Sequence, residues 1–167
     1  ENLLELATAS ALEGMYYKPR VDGELLKEYG KGLIALTGPI SGAIPKAALN
    51  EDGETIKKLV EEYRSYFGED NLYFELMDLP NVSGQSEINQ QLIKWGKELN
   101  VPLVATCNSH YYKAHDAEAH DVVLCIQKNA RVDDPSRFSM KDSDFSMRPF
   151  EELETAFKHV PEALENT

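Results

Sequence analysis

Cysteine, basic charge and long apolar runs are what this chain is short of. Its only cysteines are Cys107 and Cys125, so no disulfide framework can staple the fold, and so sparse a thiol content points to a reducing, cytoplasmic setting. No stretch approaches the roughly 20 apolar residues of a membrane span, and no basic segment runs into an apolar one as in a signal peptide. Lys and Arg number 17 against 29 Asp and Glu, a net charge of −12. Lys46, Lys57 and Lys58 sit among Glu54, Glu61 and Glu62. A surface that neutralises nucleic-acid phosphates needs clustered cations, so this chain by itself is expected to repel DNA. Also missing are the Gly-x-Ser-x-Gly elbow, the His-Glu-x-x-His zinc helix and any Lys-containing phosphate loop.

What is present suffices for about one domain: 167 residues, 42% of them hydrophobic, at the usual one to two hundred residues per domain. The first residues, Glu1-Asn2-Leu3-Leu4, lack a methionine and fall inside a predicted helix that runs to Glu13 and stops at Gly14, so the chain reads as a fragment. Met15 to Arg20 reads as a loop, Pro19 biasing Lys18 away from helix. Asp22 is placed to cap a short helix through Tyr29, and Leu33 to Leu36 is a short apolar strand. Ile56, Leu59, Val60, Tyr63 and Phe67 mark an amphipathic helix ended by Gly68. Leu72 to Met77 is a strand containing Glu75. Ile88, Leu92, Trp95 and Leu99 mark another helix, followed at once by the buried strand Val101 to Ala105.

Three times, then, a helix leads through a few polar residues into an apolar strand, the pattern of right-handed crossovers in an α/β fold with a parallel sheet or barrel. Beyond His110 the alternation weakens. Ala114 to Lys128 reads as a helix, with Val122 to Ile126 β-branched enough to compete as a strand. Asp133 to Pro135 and Ser139 to Arg148 read as irregular. Pro149 suits the first position of a helix carrying Phe150, Leu153, Phe157 and Val160, and Pro161 begins another.

In parallel α/β folds the carboxyl ends of strands are where chemistry usually sits, which draws attention to Thr106-Cys107-Asn108-Ser109-His110. Cys107 and His110 form a Cys-x-x-His, and His115, His120 and Cys125 follow. Zinc accepts such side chains, but the second ligand doublet of a structural site is missing, and His115 and His120 are about 140° apart around a helix. A strand-end His with surface helix histidines is the simpler reading. Gly38-Pro39-Ile40-Ser41-Gly42 could cradle a phosphate, or serve only as a tight strand-to-loop turn. Glu75 is a candidate ligand or base, or a hydrogen-bonded structural carboxylate. Asp133-Asp134 and Asp142-Ser143-Asp144 read as surface caps.

Several blocks, in order and along essentially the whole chain, carry a family resemblance: Tyr16-Tyr17-Lys18-Pro19-Arg20, Gly32 to Gly38 with Ser41-Gly42, Pro102 to Thr106 with His110-Tyr111, Asp116 to Asp121 with Leu124 to Gln127, and Pro161 to Thr167. They closely resemble the polymerase-and-histidinol-phosphatase (PHP) domain of the bacterial replicative C-family polymerases, the DNA polymerase III alpha subunits. The resemblance implies the later part of a distorted (β/α)7 barrel in residues 1–128 and a mostly helical extension toward the polymerase region in 129–167. It implies a parent DNA-directed DNA polymerase (a nucleotidyltransferase that uses Mg), with DNA bound through that parent, the remaining domains of the same chain as partners, and a docked proofreading exonuclease as a further one. It also implies a divalent-metal site, Zn or Mn, whose ligands in this stretch would be a Cys, an Asp and a His. Those positions hold Pro39, Asn108 and His110, of which only His110 is retained. A metal cluster needs anionic ligands, so a degenerate, architectural domain is expected. The alternative is an active metal-dependent phosphoesterase or 3′–5′ exonuclease.

Overall fold

The computed structural model describes all residues 1–167. Its helices are α1 (Asn2–Leu12), α2 (Gly23–Tyr29), α3 (Ala43–Leu49), α4 (Gly53–Phe67), α5 (Gln85–Leu99), α6 (Ala117–Lys128), α7 (Phe150–Ala156) and α8 (Glu162–Glu165). Its strands are β1 (Ala35–Leu36), β2 (Leu72–Met77) and β3 (Leu103–Thr106). They form one sheet in the order β1-β2-β3, with β1 parallel to β2 in the register Ala35 to Leu72 and Leu36 to Tyr73. The expected mixture of helices and parallel strands is therefore present. The chain divides into two compact units, one made of residues 1–75 and 91–102, the other of 76–90 and 103–167.

In the first unit β2 supplies the centre. Leu72 and Phe74 are fully buried, and burial of each such side chain contributes about 1.5–3 kcal/mol. Its backbone is bonded on both sides: the Ala35 and Thr37 N–H groups donate to Asn71 O and Tyr73 O, and the Phe74 N–H donates to Pro102 O. The Glu75 N–H donates to Thr37 Oγ1 at 2.9 Å, Thr37 itself being buried.

Helix ends follow the local chemistry. Asp22 and Asp52 cap α2 and α4 by accepting from the Leu25 and Thr55 N–H groups, each at 3.0 Å. The Arg64 guanidinium donates to Leu99 O and Asn100 O, each at 3.0 Å, occupying carbonyls at the end of α5 that have no helical donor. Asn100 there takes a left-handed φ of 51°, which Asn tolerates better than most side chains. On α4 the residues that sink fully are Ile56, Val60 and Tyr66. Leu59, Tyr63 and Phe67 are only half-buried. Tyr66 escapes the apolar-spacing argument because its hydroxyl needs a partner, which it finds by donating to Glu62 Oε1 at 2.6 Å.

Three local expectations change, and one ambiguity, between helix and strand over Val122 to Ile126, resolves in favour of the helix. The strand over Leu33 to Leu36 shortens to Ala35–Leu36. The small-residue loop runs directly into α3, seated by buried Ile44, Pro45, Ala47 and Ala48; Pro45 lies in its first turn, where a missing N–H costs nothing. Val122 to Ile126 is helical, because only Leu124 and Cys125 are buried there while Val122, Val123 and Ile126 face outward. Pro149 is extended, with ψ 150°, and stands before the helix; α7 ends at Ala156, and Val160 is buried beyond it.

Gly53, the first residue of α4, has no room for a side chain: a Cβ there would lie 2.4 Å from Trp95 Cζ2. Gly53→Ala is expected to destabilise the chain by about 1–3 kcal/mol through overpacking, read as a lower midpoint in urea with an unchanged slope. An unchanged midpoint would mean that Trp95 is free to move aside.

Candidate functional site

The carboxyl end of β3 is built within the second unit. β3 stops at Thr106, and Asn108 turns the chain with φ 47°. Because the strand has ended, the alternation of side chains between two faces does not extend to Cys107 and Asn108. The turn also gives Asn108 a backbone reason for its identity, since Asn adopts this conformation readily. Residues 109–112 then lie against residues 144–147. The His110 N–H donates to Phe145 O at 2.8 Å and the Met147 N–H to Tyr111 O at 3.0 Å. The Phe145 N–H donates to Tyr111 Oη at 3.0 Å, and Ser109 Oγ donates to Ser146 O at 3.2 Å. Below them Met77, Leu79 and Phe145 form an apolar cluster, with Val82, Tyr111 and Met140 packed on it.

Two of the candidate histidines meet here. The His110 ring lies 5.2 Å from the His120 ring, and His120 lies 5.4 Å from the ring of Tyr111, centroid to centroid. His110 also meets Phe145 edge-on at 5.6 Å. His120 reaches this place from α6, whose entry is a 3₁₀ turn over Ala114–Asp116. Asp116 belongs to that turn instead of to His120: its Oδ2 accepts from the Lys113 N–H at 2.9 Å, and its Oδ1 lies 3.4 Å from His115 Nε2. His115 projects outward, Cys125 is buried and Cys107 is half-buried.

The remaining candidates lie in the first unit. Pro39 is exposed in the turn after β1, where the Gly42 N–H donates to Pro39 O at 2.7 Å. Gly38 takes φ 76°, and a Cβ on Gly42 would lie 2.6 Å from Thr37 O, so both glycines are explained by the turn. Glu75 is half-buried on β2. A proline ring offers no donor, a carboxamide is neutral, and an imidazole is neutral when it ligates. No group of three or more His, Cys, Asp or Glu side chains is arranged to hold a metal ion.

Sequence reasoning missed the buried charge that organises this unit. Asp121, on the inner face of α6, accepts from Arg137 through both oxygens, the Nη1 contact to Oδ1 measuring 2.7 Å, and from Ser139 Oγ at 2.8 Å. The hydrogen bonds from Arg137 and then Ser139 hold the Asp121 carboxyl at about 2, below its ordinary 3.8. Arg148 makes a second tie, to the Asp78 carboxylate and to Glu152 Oε2. The available signal was an Asp one residue before an apolar run on a helix; the distance to Arg137 in an irregular stretch hid its partner.

Because the folded carboxyl titrates lower than the unfolded one, Asp121 adds stability above pH 3.8, and that contribution is lost as pH falls toward about 2. Asp121→Asn should flatten the acid limb of the stability profile in that window and lower the melting temperature at pH 7, because Arg137, only 12% exposed, loses its counter-charge. An unchanged acid limb would remove Asp121 from this role.

Comparison with known proteins fits this architecture. Residues 1–79 match the PHP domain family. Over 167 residues, all of this chain and 14% of the relative, the chain is 39% identical to the DNA polymerase III subunit alpha of Borreliella burgdorferi. It is 35% identical over 166 residues to that of Treponema pallidum, 99% of this chain and 14% of the relative. With that of Thermus aquaticus the identity is 36% over 163 residues, 98% of this chain and 13% of the relative. The chain thus spans about one seventh of the length of these relatives. Residues 1–79 are thus similar to the PHP domain family, and along its whole length the chain is similar to one segment of DNA polymerase III alpha subunits.

Proposed function

We propose that this chain is the PHP region of a bacterial replicative DNA polymerase, acting there as architecture and not as a metal-dependent nuclease. The observation that carries the first half is the similarity along the entire chain to one segment of the alpha subunits. The second half is supported by the donor chemistry: Pro39 and Asn108 stand where the family resemblance expects a thiolate and a carboxylate. Losing two anions removes the charge that would hold divalent ions close together. DNA synthesis and its Mg belong to the parent polymerase, as does binding of DNA, which a chain of net charge −12 does not favour. Residues 1–128 are then a partial PHP domain, 129–167 lead toward the polymerase domains, and a separate proofreading exonuclease is a candidate partner.

The barrel belongs to this reading. The Ala35 and Thr37 amides are used by β2, so the backbone groups of Ile34 and Leu36 face the other edge of the sheet, and both side chains are exposed. An apolar strand edge of this kind pairs readily with another strand; in the larger polymerase, a neighbouring strand of a (β/α)7 barrel would lie there.

The competing reading is an active metal-dependent phosphoesterase or 3′–5′ exonuclease, and His110 beside His120 is what favours it. Metal analysis after equilibration with Zn or Mn decides between them. The expected result is fewer than one ion per chain and no chelator-sensitive removal of nucleotides from a DNA 3′ end. Two or more ions per chain with such activity would overturn the architectural reading.

A further inference from the structure

We infer that the cleft between α7 and α8 is a docking site for a basic amphipathic segment of another polypeptide. The cleft is a cavity of about 410 Å³ whose floor and walls are Phe150, Phe157, Pro161 and Leu164, within the roughly 300–1,000 Å³ typical of sites that take a ligand-sized group. Phe150, Glu154 and Phe157 fall at i, i+4 and i+7, so one face of α7 and its continuation lines the opening. Phe157 is buried, whereas Phe150 is 61% exposed. A ring so exposed at the mouth of an apolar cavity marks a contact surface more than a core position.

Charge selects the occupant. Glu154 and Glu165 stand on the rim with Lys158 as the one cation. Glu151 and Glu162 add further negative charge on the same two helices, while Glu152 is already paired with Arg148. Such a rim attracts Lys and Arg and rejects acidic partners. A second copy of this chain, with its net charge of −12, is a poor match. An apolar side chain flanked by basic residues, presented on a helix, fits both features: the anchor enters the cleft and the cations meet the glutamates. The inference rests on the cleft alone and does not depend on the polymerase reading.

The test uses the 167-residue chain and a fluorescein-labelled helical peptide of about 15 residues, with Leu and Phe on one face and Lys and Arg on the other. Binding is followed by anisotropy. The expected result is saturable binding below about 100 µM, weakened at least about fivefold by Phe150→Ala. The double variant Glu154→Lys with Glu165→Lys should weaken it about threefold or more and reduce its salt dependence. A peptide with Glu in place of Lys and Arg should not bind. Phe150→Ala removes a mostly exposed ring, so its melt should match the parent; if it does not, the rim variants give an independent readout. The inference is overturned by absent binding, by equal binding of the acidic peptide, or by binding that neither set of variants changes. A concentration-dependent dimer abolished by Phe150→Ala would likewise overturn it, by making a second copy the occupant.

Discussion

Backbone pairing between residues 109–112 and 144–147 is the constraint on which the second unit depends. The end of a buried strand normally leaves carbonyls and amides to be satisfied by loops, ligands or water. Here Asn166 and Thr167 donate to Leu103 O and Ala105 O of β3, and the segment after the strand pairs with a later, irregular part of the chain, the His110 N–H donating to Phe145 O and the Met147 N–H to Tyr111 O. Once that pairing forms, Tyr111 can receive the Phe145 amide on its hydroxyl, Phe145 can fill the space over Met77 and Leu79, and His120 can lie between His110 and Tyr111.

Two arginines, in three ion pairs, keep the irregular stretch in place. Residues between α6 and α7 contain no long helix or strand to supply their own hydrogen bonds, so their order depends on side chains. Asp121 with Arg137 and Ser139 anchors the beginning of that stretch to α6. Asp78 and Glu152 with Arg148 anchor its end. For the buried Asp121–Arg137 pair, desolvation offsets much of the attraction, so the pair contributes more to fixing one geometry than to net stability.

The periodic parts of the fold were legible from residues alone. Ile88, Leu92 and Trp95 declared α5, Ile56 and Val60 declared α4, and Asp22 announced the cap of α2, because apolar spacing and caps act within a few residues of sequence. What depends on particular polar partners was not legible. Tyr66 sinks because Glu62 accepts its hydrogen bond, Asp121 because Arg137 arrives from beyond the helix, and the left-handed turn at Asn108 leaves no mark in the apolar pattern. Pro45, inside α3, hid a helix that its neighbours Ala43, Ala47 and Ala48 would otherwise have signalled. At the candidate site, the meeting of His110 with His120 required the fold.

The central proposal is that protein, and no bound ion, holds the segment that follows β3. Amide hydrogen exchange of His110 and Met147, measured with and without a strong chelator, addresses it most directly. The account predicts slow exchange at both amides, unchanged by the chelator; fast exchange in the chelator, restored by adding zinc or manganese, would contradict it.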